Sequence, residues 1–483
     1  MTEVLAVLDD TAEKSELITA VIGDKGFSDL VVRRERLAER YERAIKTVFP
    51  AAEVQVMRSP FQLAELAERI ESYKECRVLH LFASFYVTDA ARLALTLKKL
   101  AYIETPYRLV TEKGETAGVM LESLASYRAF LARARESHAA QIAEALPAVP
   151  VEGLLFIGEI GPFIQCVTGS FAARYFNSVK GDGFLLTKSS RDKRKIRAEY
   201  TFYHLLPDDL KIWYVLPFDY REDAETASYK MQRLYITDLA IKWVHGSFDE
   251  QEFSGLLALY FRFFAARHEK EVTPAAYQAA SDQLYVTKVR ERVAKLEKLP
   301  AYPRIAAYLA AGTPEGGLDD IVAEYFTLKE RVERRVDFSP VLVIGHGDPC
   351  FSNALYSRAT RTLKFIDPKG ALTEAELWAN PYYDLAKLSH SVCGRYDFFN
   401  SGLYEITVGE DFALHLGIDF DNTRYKEIFR EALAKNGYDY LAVRLYEASL
   451  FLSMLPLHID RPHKVLGFIL NARNILEEIR HEL

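Results

Sequence analysis

Apolar positions along this chain follow two different periods, and the changes of period divide it. Up to about residue 150, short strand-like runs (Val4–Leu8, Glu53–Met57, Arg77–Phe82) alternate with longer amphipathic ones (Leu30–Val48, Gln62–Tyr73, Ala90–Leu100). The longer runs space their apolar residues as a helix that buries one face does. Strand–helix alternation of this kind predicts an α/β layer domain. Leu124–Leu146 reads as one long helix, and Pro147 and Pro150 then interrupt the pattern. A domain boundary is expected there, giving a first domain over 1–150.

From 151 to 235 the pattern changes. Short runs at Phe163–Val167, Arg174–Asn177 and Phe184–Thr187 read as strands, Arg191–Leu206 as a charged helix, and Ile212–Pro217 and Ser228–Tyr235 as two more strands. That order predicts a small α+β lobe. Residues 236–483 are mostly helical in period, interrupted by two apolar strands, Val341–Ile344 and Leu363–Ile366.

Bulk composition excludes some functions. With 49% hydrophobic and 27% charged residues the chain can bury a large core. A net charge of −7 argues against nucleic acid as an obligatory partner. No stretch has the apolar length of a membrane span, since Leu154–Val167 is broken by Glu159, so no membrane insertion is expected. Cys76, Cys166, Cys350 and Cys393 are scattered, which suits a reducing cytoplasm.

The stretch Ile344-Gly345-His346-Gly347-Asp348-Pro349-Cys350-Phe351-Ser352-Asn353 reads H-G-D-x-x-x-x-N directly after a strand. Asp367 follows the next strand, and the turn-rich Ser357–Arg361 between them predicts a hairpin that gathers Asp348, Asn353 and Asp367. These are the parts of a phosphoryl-transfer site. One carboxylate takes the proton of the attacking hydroxyl, while an amide oxygen and a second carboxylate hold Mg²⁺ against ATP phosphates. A surface turn would account for Gly and Asp alone, but not for two polar clusters that each follow an apolar strand. Cys350 reads as a small buried filler rather than a nucleophile.

The combination resembles the aminoglycoside phosphotransferase and choline kinase family, whose loop reads H-G-D where protein kinases have H-R-D. The resemblance covers about residues 160–483. It is strongest at His346–Asn353, at Ile366-Asp367-Pro368-Lys369-Gly370 and at Asn380-Pro381-Tyr382-Tyr383-Asp384-Leu385-Ala386. It implies an α+β, protein-kinase-like bilobal fold: a β-rich lobe over 151–235 and a helical lobe over 236–483, preceded by the α/β domain. It also implies an ATP- and Mg²⁺-dependent kinase acting on a hydroxyl of a small-molecule acceptor, a sugar or amino alcohol. On that resemblance Asp348 is the catalytic base, Asn353 and Asp367 are the Mg²⁺ ligands, and His346 and Asp384 hold the catalytic segment. Gly169 and Ser170 would cover the nucleotide. Lys188 and Glu199 would pair and position the α and β phosphates. The strand end carrying Met231 and Leu234 would meet adenine through its backbone. The rest of the basic run, including Arg191, Lys193 and Lys195, reads as a solvated helix face.

Two polar clusters in the helical part are candidates for the acceptor site: Lys288 with Arg290, and His458 with Asp460. Pro462 gives the second cluster a plainer reading as a helix boundary. Lys369 is placed to meet an anionic acceptor. The Asp-Pro-Lys-Gly step and the run Tyr382–Ser391 are similar to phosphotransferases associated with bacterial surface-polysaccharide synthesis. The first domain is similar in its layering to a sugar nucleotidyltransferase, but it lacks their Gly-Gly-x-Gly-x-Arg loop; Gly23-Asp24-Lys25-Gly26 reads as a turn. Two other readings stay open: a catalytically silent kinase-like scaffold or nucleotide sensor, and a bifunctional kinase and nucleotidyltransferase.

Overall fold

The computed structural model describes residues 4–70, 73–134, 139–168, 177–181, 184–312 and 316–483. Two compact units emerge: Met1–Ala172 with His245–Ser247, and Ala173–Val244 with Phe248–Leu483.

The first unit is built on a six-stranded mixed sheet. Its order is Glu53–Met57, Val4–Asp9, Arg77–Phe82, Thr116–Leu121, Tyr107–Val110 and Ala148–Pro150. The first three strands are parallel, and Thr116–Leu121 runs antiparallel to Arg77–Phe82. Val4–Asp9 and Arg77–Phe82 are buried at every position, which explains their unbroken apolar pattern: both faces are covered. Helix starts at Glu16, Pro60 and Ala90 are capped by Ser15, Ser59 and Asp89, whose side chains accept from the first-turn amides.

The division between units differs from the one expected at residue 150. Ala148–Pro150 is an edge strand paired with Tyr107–Val110, a position where proline costs no ladder bond. Leu154–Phe156 pairs with Phe85–Val87, so the unit continues past both prolines. Residues Phe163–Val167 lie within a helix, Ile160–Thr168, not a strand. A short apolar run does not distinguish the two by period alone. The long helix expected over Leu124–Leu146 comprises Leu124–Ala134 and Ala139–Ala143, with 135–138 outside the described residues.

The second unit has two lobes. The small one is an antiparallel sheet ordered Asn177–Gly181, Leu185–Ser190, Ala227–Gln232, Pro217–Glu222. The helix Lys193–Leu205 packs Ile196 against Ala227, Tyr229 and Met231 of this sheet. The strand expected at Ile212–Pro217 begins only at Pro217. The larger lobe is helical. Its helix Tyr440–Met454 is buried from Leu441 onward, as a helix apolar on all sides must be. Among the described residues no helix is long and apolar enough to cross a membrane. Within this lobe Val341–Ile344 pairs with Glu269–Glu271 and Trp378–Ala379. Ala354–Ser357 and Thr362–Phe365 form the expected hairpin. Asn353 and Asp367 stand at its open end, and Asp348 lies in the loop that leads into it. This bilobal order is the kinase-like arrangement that the motifs imply.

Candidate active site

The loop carrying Asp348 is fixed from behind by buried hydrogen bonds. His346 is fully buried, and its Nδ1 accepts from the Asp348 amide at 3.0 Å. Its Nε2 lies 3.0 Å from the Ile366 carbonyl. A carbonyl can only accept, so the ring is the neutral Nε2–H tautomer. Burial accordingly holds the His346 pKa below its ordinary value, in keeping with a ring that holds the loop by hydrogen bonds. The amides of His346 and Gly347 donate to the two Asp384 oxygens at 2.9 and 2.7 Å. Arg267, itself buried, lies 3.3 Å from the Asp384 carboxylate. Gly347 takes φ of +82°, and a Cβ there would come within 2.6 Å of the Lys369 side chain. Two constraints thus require glycine between His346 and Asp348.

Lys188, Glu199 and Asp367 meet in one ion-pair cluster. Lys188 Nζ lies 2.6 Å from Glu199 Oε2 and 2.8 Å from Asp367 Oδ1. The Tyr229 hydroxyl also donates to Glu199 Oε2, at 3.2 Å. The eleven-residue separation suffices because the helix starts at Lys193, directly after the strand that ends at Ser190. Burial works against the Lys188 ammonium, but Asp367 and Glu199 outweigh it and keep its pKa above the usual value. Glu199 is pushed up by burial despite Lys188. Burial also opposes the Asp367 carboxylate, yet the adjacent Lys188 ammonium holds its pKa below the ordinary carboxylate value. Asp367 has φ of 57°, a left-handed conformation uncommon for a non-glycine residue. Flanking bonds hold it there: Ile366 N–H to the Asn353 carbonyl at 3.0 Å and Lys369 N–H to the His346 carbonyl at 2.9 Å. Strain of this sort concentrates at functional sites.

The donor set suits Mg²⁺ carried with nucleotide. Asn353 Nδ2 donates to the Asp348 carbonyl at 2.9 Å, so the amide oxygen is the end left to face a cation. Among the described residues no group of three or more His, Cys, Asp or Glu side chains is placed to hold an ion. One amide oxygen and one carboxylate do not make a protein cage. They do match Mg²⁺, which completes its octahedron with phosphate oxygens and water.

The helix Pro381–Val392 packs beside Asp348. Lys387 Nζ lies 3.0 Å from Asp348 Oδ1. Although burial opposes its charge, Asp348 raises the Lys387 pKa. One turn earlier, the Tyr383 hydroxyl accepts from Lys288 Nζ at 2.8 Å. Burial would raise the Tyr383 pKa, but Lys387 and Lys288 outweigh it and bring it below the ordinary phenol value. His390 lies on the same helix face, with ring centroids of Tyr396 and Phe451 each 4.2 Å away. Neither buried His390 nitrogen has a hydrogen-bond partner among the described residues. Burial, reinforced by Lys387, depresses its pKa far below the usual value, so it is neutral.

The structure brings together Asp348, Asn353, Asp367, Lys188, Glu199, His346 and Asp384, with Lys288 joined through Tyr383. Several other expectations fare differently. Gly169 and Ser170 lie outside the described residues. The Met231 side chain is part of the small-lobe core, opposite Leu186, so only its backbone is available to a nucleotide. Leu234 is half-buried just beyond the strand end at Gln232. Arg290 is exposed with its guanidinium 4.9 Å from the Phe326 ring centroid. It is two residues from Lys288, a spacing that puts side chains on different helix faces. Asp460 is exposed with its carboxylate 3.6 Å from Arg461, and the helix begins at Pro462, so the boundary reading holds for that cluster. The His458 ring lies edge-on to Phe468 at 5.3 Å. Lys369 is exposed beside Gly347. In the basic run, Lys193 and Arg197 lie 3.5 and 2.7 Å from Glu222 carboxylate oxygens, and Lys195 lies 3.7 Å from Glu199. Cys350 is buried with its thiol pKa driven up by burial, as a filler requires. Arg267, Tyr383, Lys387 and His390 were not singled out from sequence. The spacing of Tyr383 and Lys387, one helical turn apart and close to Asp384, was the available signal.

No protein-family model matches the chain, and no curated protein matches it. Solved structures do. An aminoglycoside phosphotransferase in apo form matches at 12% identity over 62% of this chain and 89% of that one, with a TM-score of 0.35. A glucosamine kinase matches at 13% identity over 67% of this chain and 83% of that one, with a TM-score of 0.37. The Plasmodium vivax ethanolamine kinase matches at 10% identity over 62% of this chain and 78% of that one, with a TM-score of 0.32. Identities and TM-scores are low, and the functional reading is drawn from the side-chain geometry of this chain.

Proposed function

We propose that the second compact unit transfers the γ-phosphoryl group of ATP, with Mg²⁺, to a hydroxyl of a small molecule, a sugar or amino alcohol. One observation carries this: Lys188 is within ion-pair distance of both Glu199 and Asp367, while Asn353, at the open end of the same hairpin as Asp367, is hydrogen-bonded to Asp348. Strand lysine, helix acid and strand-end acid together form the phosphate-handling apparatus of a kinase. Asp348 is the base. The acceptor hydroxyl gives its proton to the Asp348 carboxylate as its oxygen bonds to the γ-phosphorus. The bond from that phosphorus to the β,γ-bridging oxygen breaks, and ADP leaves. Lys188 is oriented by Glu199 to meet the α and β phosphates. The backbone between Gln232 and Leu239, which links the lobes, is the candidate adenine contact. Asn353 and Asp367 would hold Mg²⁺, which when bound neutralises phosphate charge. Four free, buried cysteines suit a reducing compartment such as the cytoplasm. A role in surface-polysaccharide synthesis rests on the motif resemblance alone.

The test combines thermal shift with ADP release. Mg²⁺ with ATP, but not Mg²⁺ alone, raises the melting temperature; a hundredfold excess over Kd corresponds to about 2.7 kcal/mol. Asp367→Ala removes most of that shift. Asp348→Asn keeps the shift and loses about 10²–10⁴ in turnover on whichever sugar or amino alcohol serves the wild type. An unchanged shift in the Asp367 variant would put the metal elsewhere. Near-normal turnover in the Asp348 variant would remove it as the base. Binding of ATP with no turnover by the wild type would favour the silent sensor.

A further inference from the structure

Two lysines on the Asp348 side of the site make no ion pair with a carboxylate among the described residues. Asp348 is matched by Lys387 at 3.0 Å. Lys288 is half-buried, and its ammonium has a neutral partner, the Tyr383 hydroxyl at 2.8 Å. No carboxylate pairs with it among the described residues. Lys369 rests its stem against Gly347, next to Asp348, and its ammonium makes no ion pair among the described residues, with Asp384 and Glu376 acting on it only from beyond ion-pair distance. Elsewhere in this unit three buried lysines are compensated by carboxylates, Lys188 by Glu199 and Asp367, Lys242 by Glu252 at 2.9 Å, and Lys329 by Glu333 at 2.7 Å, while a fourth, Lys464, donates to the Asn400 side chain at 2.6 Å. A half-buried ammonium without a counter-ion gives up hydration and regains little. The uncompensated charge therefore has a cost to the protein alone that an incoming anion would remove.

The placement is specific. Tyr383 and Lys387 lie one turn apart on one helix, so the Tyr383 ring bridges the two lysines: Lys288 Nζ is 5.1 Å and Lys387 Nζ 6.0 Å from its centroid. Lys387 is occupied by the base. Lys288 is held at the hydroxyl end of the ring. His390, one turn beyond Lys387 on the same helix face, is buried between Tyr396 and Phe451 and has no hydrogen-bond partner among the described residues.

We propose that the acceptor is an anionic polyol: a sugar or amino alcohol bearing a phosphate or carboxylate in addition to the hydroxyl that is phosphorylated, with the anion bound by Lys288 and assisted by Lys369. This rests on the kinase reading of the site. The transfer is the one described above; the anionic group is unchanged, and the product carries one phosphate more than the substrate.

The test separates the two readings. First, with the nucleotide site saturated by Mg²⁺ and AMP-PNP, inorganic phosphate is titrated against chloride of equal ionic strength. Phosphate raises the melting temperature of the wild type further, and Lys288→Ala loses that additional shift. Second, ADP release is measured on matched pairs: glucose with glucose 6-phosphate, glucose with glucuronate, glycerol with glycerol 3-phosphate, and ethanolamine as a cation. An anionic member exceeds its neutral partner in kcat/KM by about tenfold or more, and Lys288→Ala narrows that ratio with little change in KM for ATP. Whether the phosphate or the carboxylate member leads identifies the anion. No additional shift with phosphate, a preference for neutral or cationic acceptors, or a rise in KM for ATP at an unchanged acceptor ratio would each overturn the inference and leave the kinase reading standing. Absence of any shift with Mg²⁺ and AMP-PNP would overturn the kinase reading itself.

Discussion

Lys188 is the residue whose chemistry depends most on its neighbours. It is 3% exposed, and only the paired carboxylates make its charge tolerable in that position. Replacing it by methionine would leave Glu199 and Asp367 with only the more distant Lys195, 3.7 Å from Glu199, as a cation. The Glu199 pKa, already pushed up by burial, would rise further. Lys188→Met is therefore expected to raise KM for ATP and lower kcat, with a combined loss of about 10² or more in kcat/KM. Steady-state kinetics over ATP concentration checks this, and wild-type ATP kinetics would mean that another basic residue meets the phosphates. At this scale the sequence was informative wherever chemistry is local. Asp348, Asn353 and Asp367 are tied by short spacings and strand ends. Lys188 and Glu199 are adjacent elements of one lobe. Lys387 was not legible in the same way, because its role depends on a helix reaching a loop about forty residues earlier. Met231 was assigned to the nucleotide through its backbone, from its position at a strand end, and nothing in that assignment concerned its side chain. Strand alternation had already turned its side chain into the small-lobe core.

The helix Pro381–Val392 organises the His346–Asn353 loop as a single element. Asn380 caps it by accepting from the Tyr382 amide, and Pro381 fills the first-turn position where no N–H is needed. Asp384 takes two loop amides, Lys387 meets Asp348, and the Ser391 hydroxyl accepts from the Phe351 amide at 3.0 Å. Residues 384, 387 and 391 share a face by helical spacing, so one straight helix fixes the loop at three points. Arg267, directly after the helix Glu250–Ala266, supports this by meeting Asp384, both side chains being at most 2% exposed. Arg267→Met would leave that carboxylate buried and uncompensated. The expected cost is about 3–5 kcal/mol, together with a fall in kcat as the loop loses its fixed geometry. Trp213, Trp243 and Trp378, the only tryptophans, all lie in the second unit. Tryptophan fluorescence in urea therefore follows that unit alone. A midpoint near the wild type would show that Asp384 is held by its amide bonds without the arginine.

Across the whole molecule, strongly periodic segments such as Ala90–Leu100 and Glu53–Met57 were legible to the residue, whereas the unit boundary was not. Prolines mark the end of a pattern, but pairing in space decides where a unit ends, and Ala148–Pro150 pairs backward into the first sheet. The same physical reasoning bears on the bifunctional reading. Nucleotidyl transfer needs free backbone donors around a triphosphate, usually from a glycine-rich turn at a helix start. In the first unit the turn after Gly26 is already committed. The amides of Phe27 and Ser28 both donate to the Asp10 carboxylate at 2.9 Å. Gly26 is itself so close that a Cβ would come within 1.9 Å of Asp10 Oδ2. A phosphate arriving there would have to displace a buried carboxylate and then face it. The full-length chain is therefore expected to release no pyrophosphate from any nucleoside triphosphate offered with sugar phosphates and a divalent metal. The Asp348→Asn protein is the cleaner sample, because it removes the kinase turnover that would consume ATP in the same assay. Asp10→Asn gives a second check: by weakening the anion in the turn it should destabilise the unit without creating activity. Metal-dependent pyrophosphate release by the Asp348→Asn protein would show that the first unit finds its phosphate donors elsewhere and would restore the bifunctional reading.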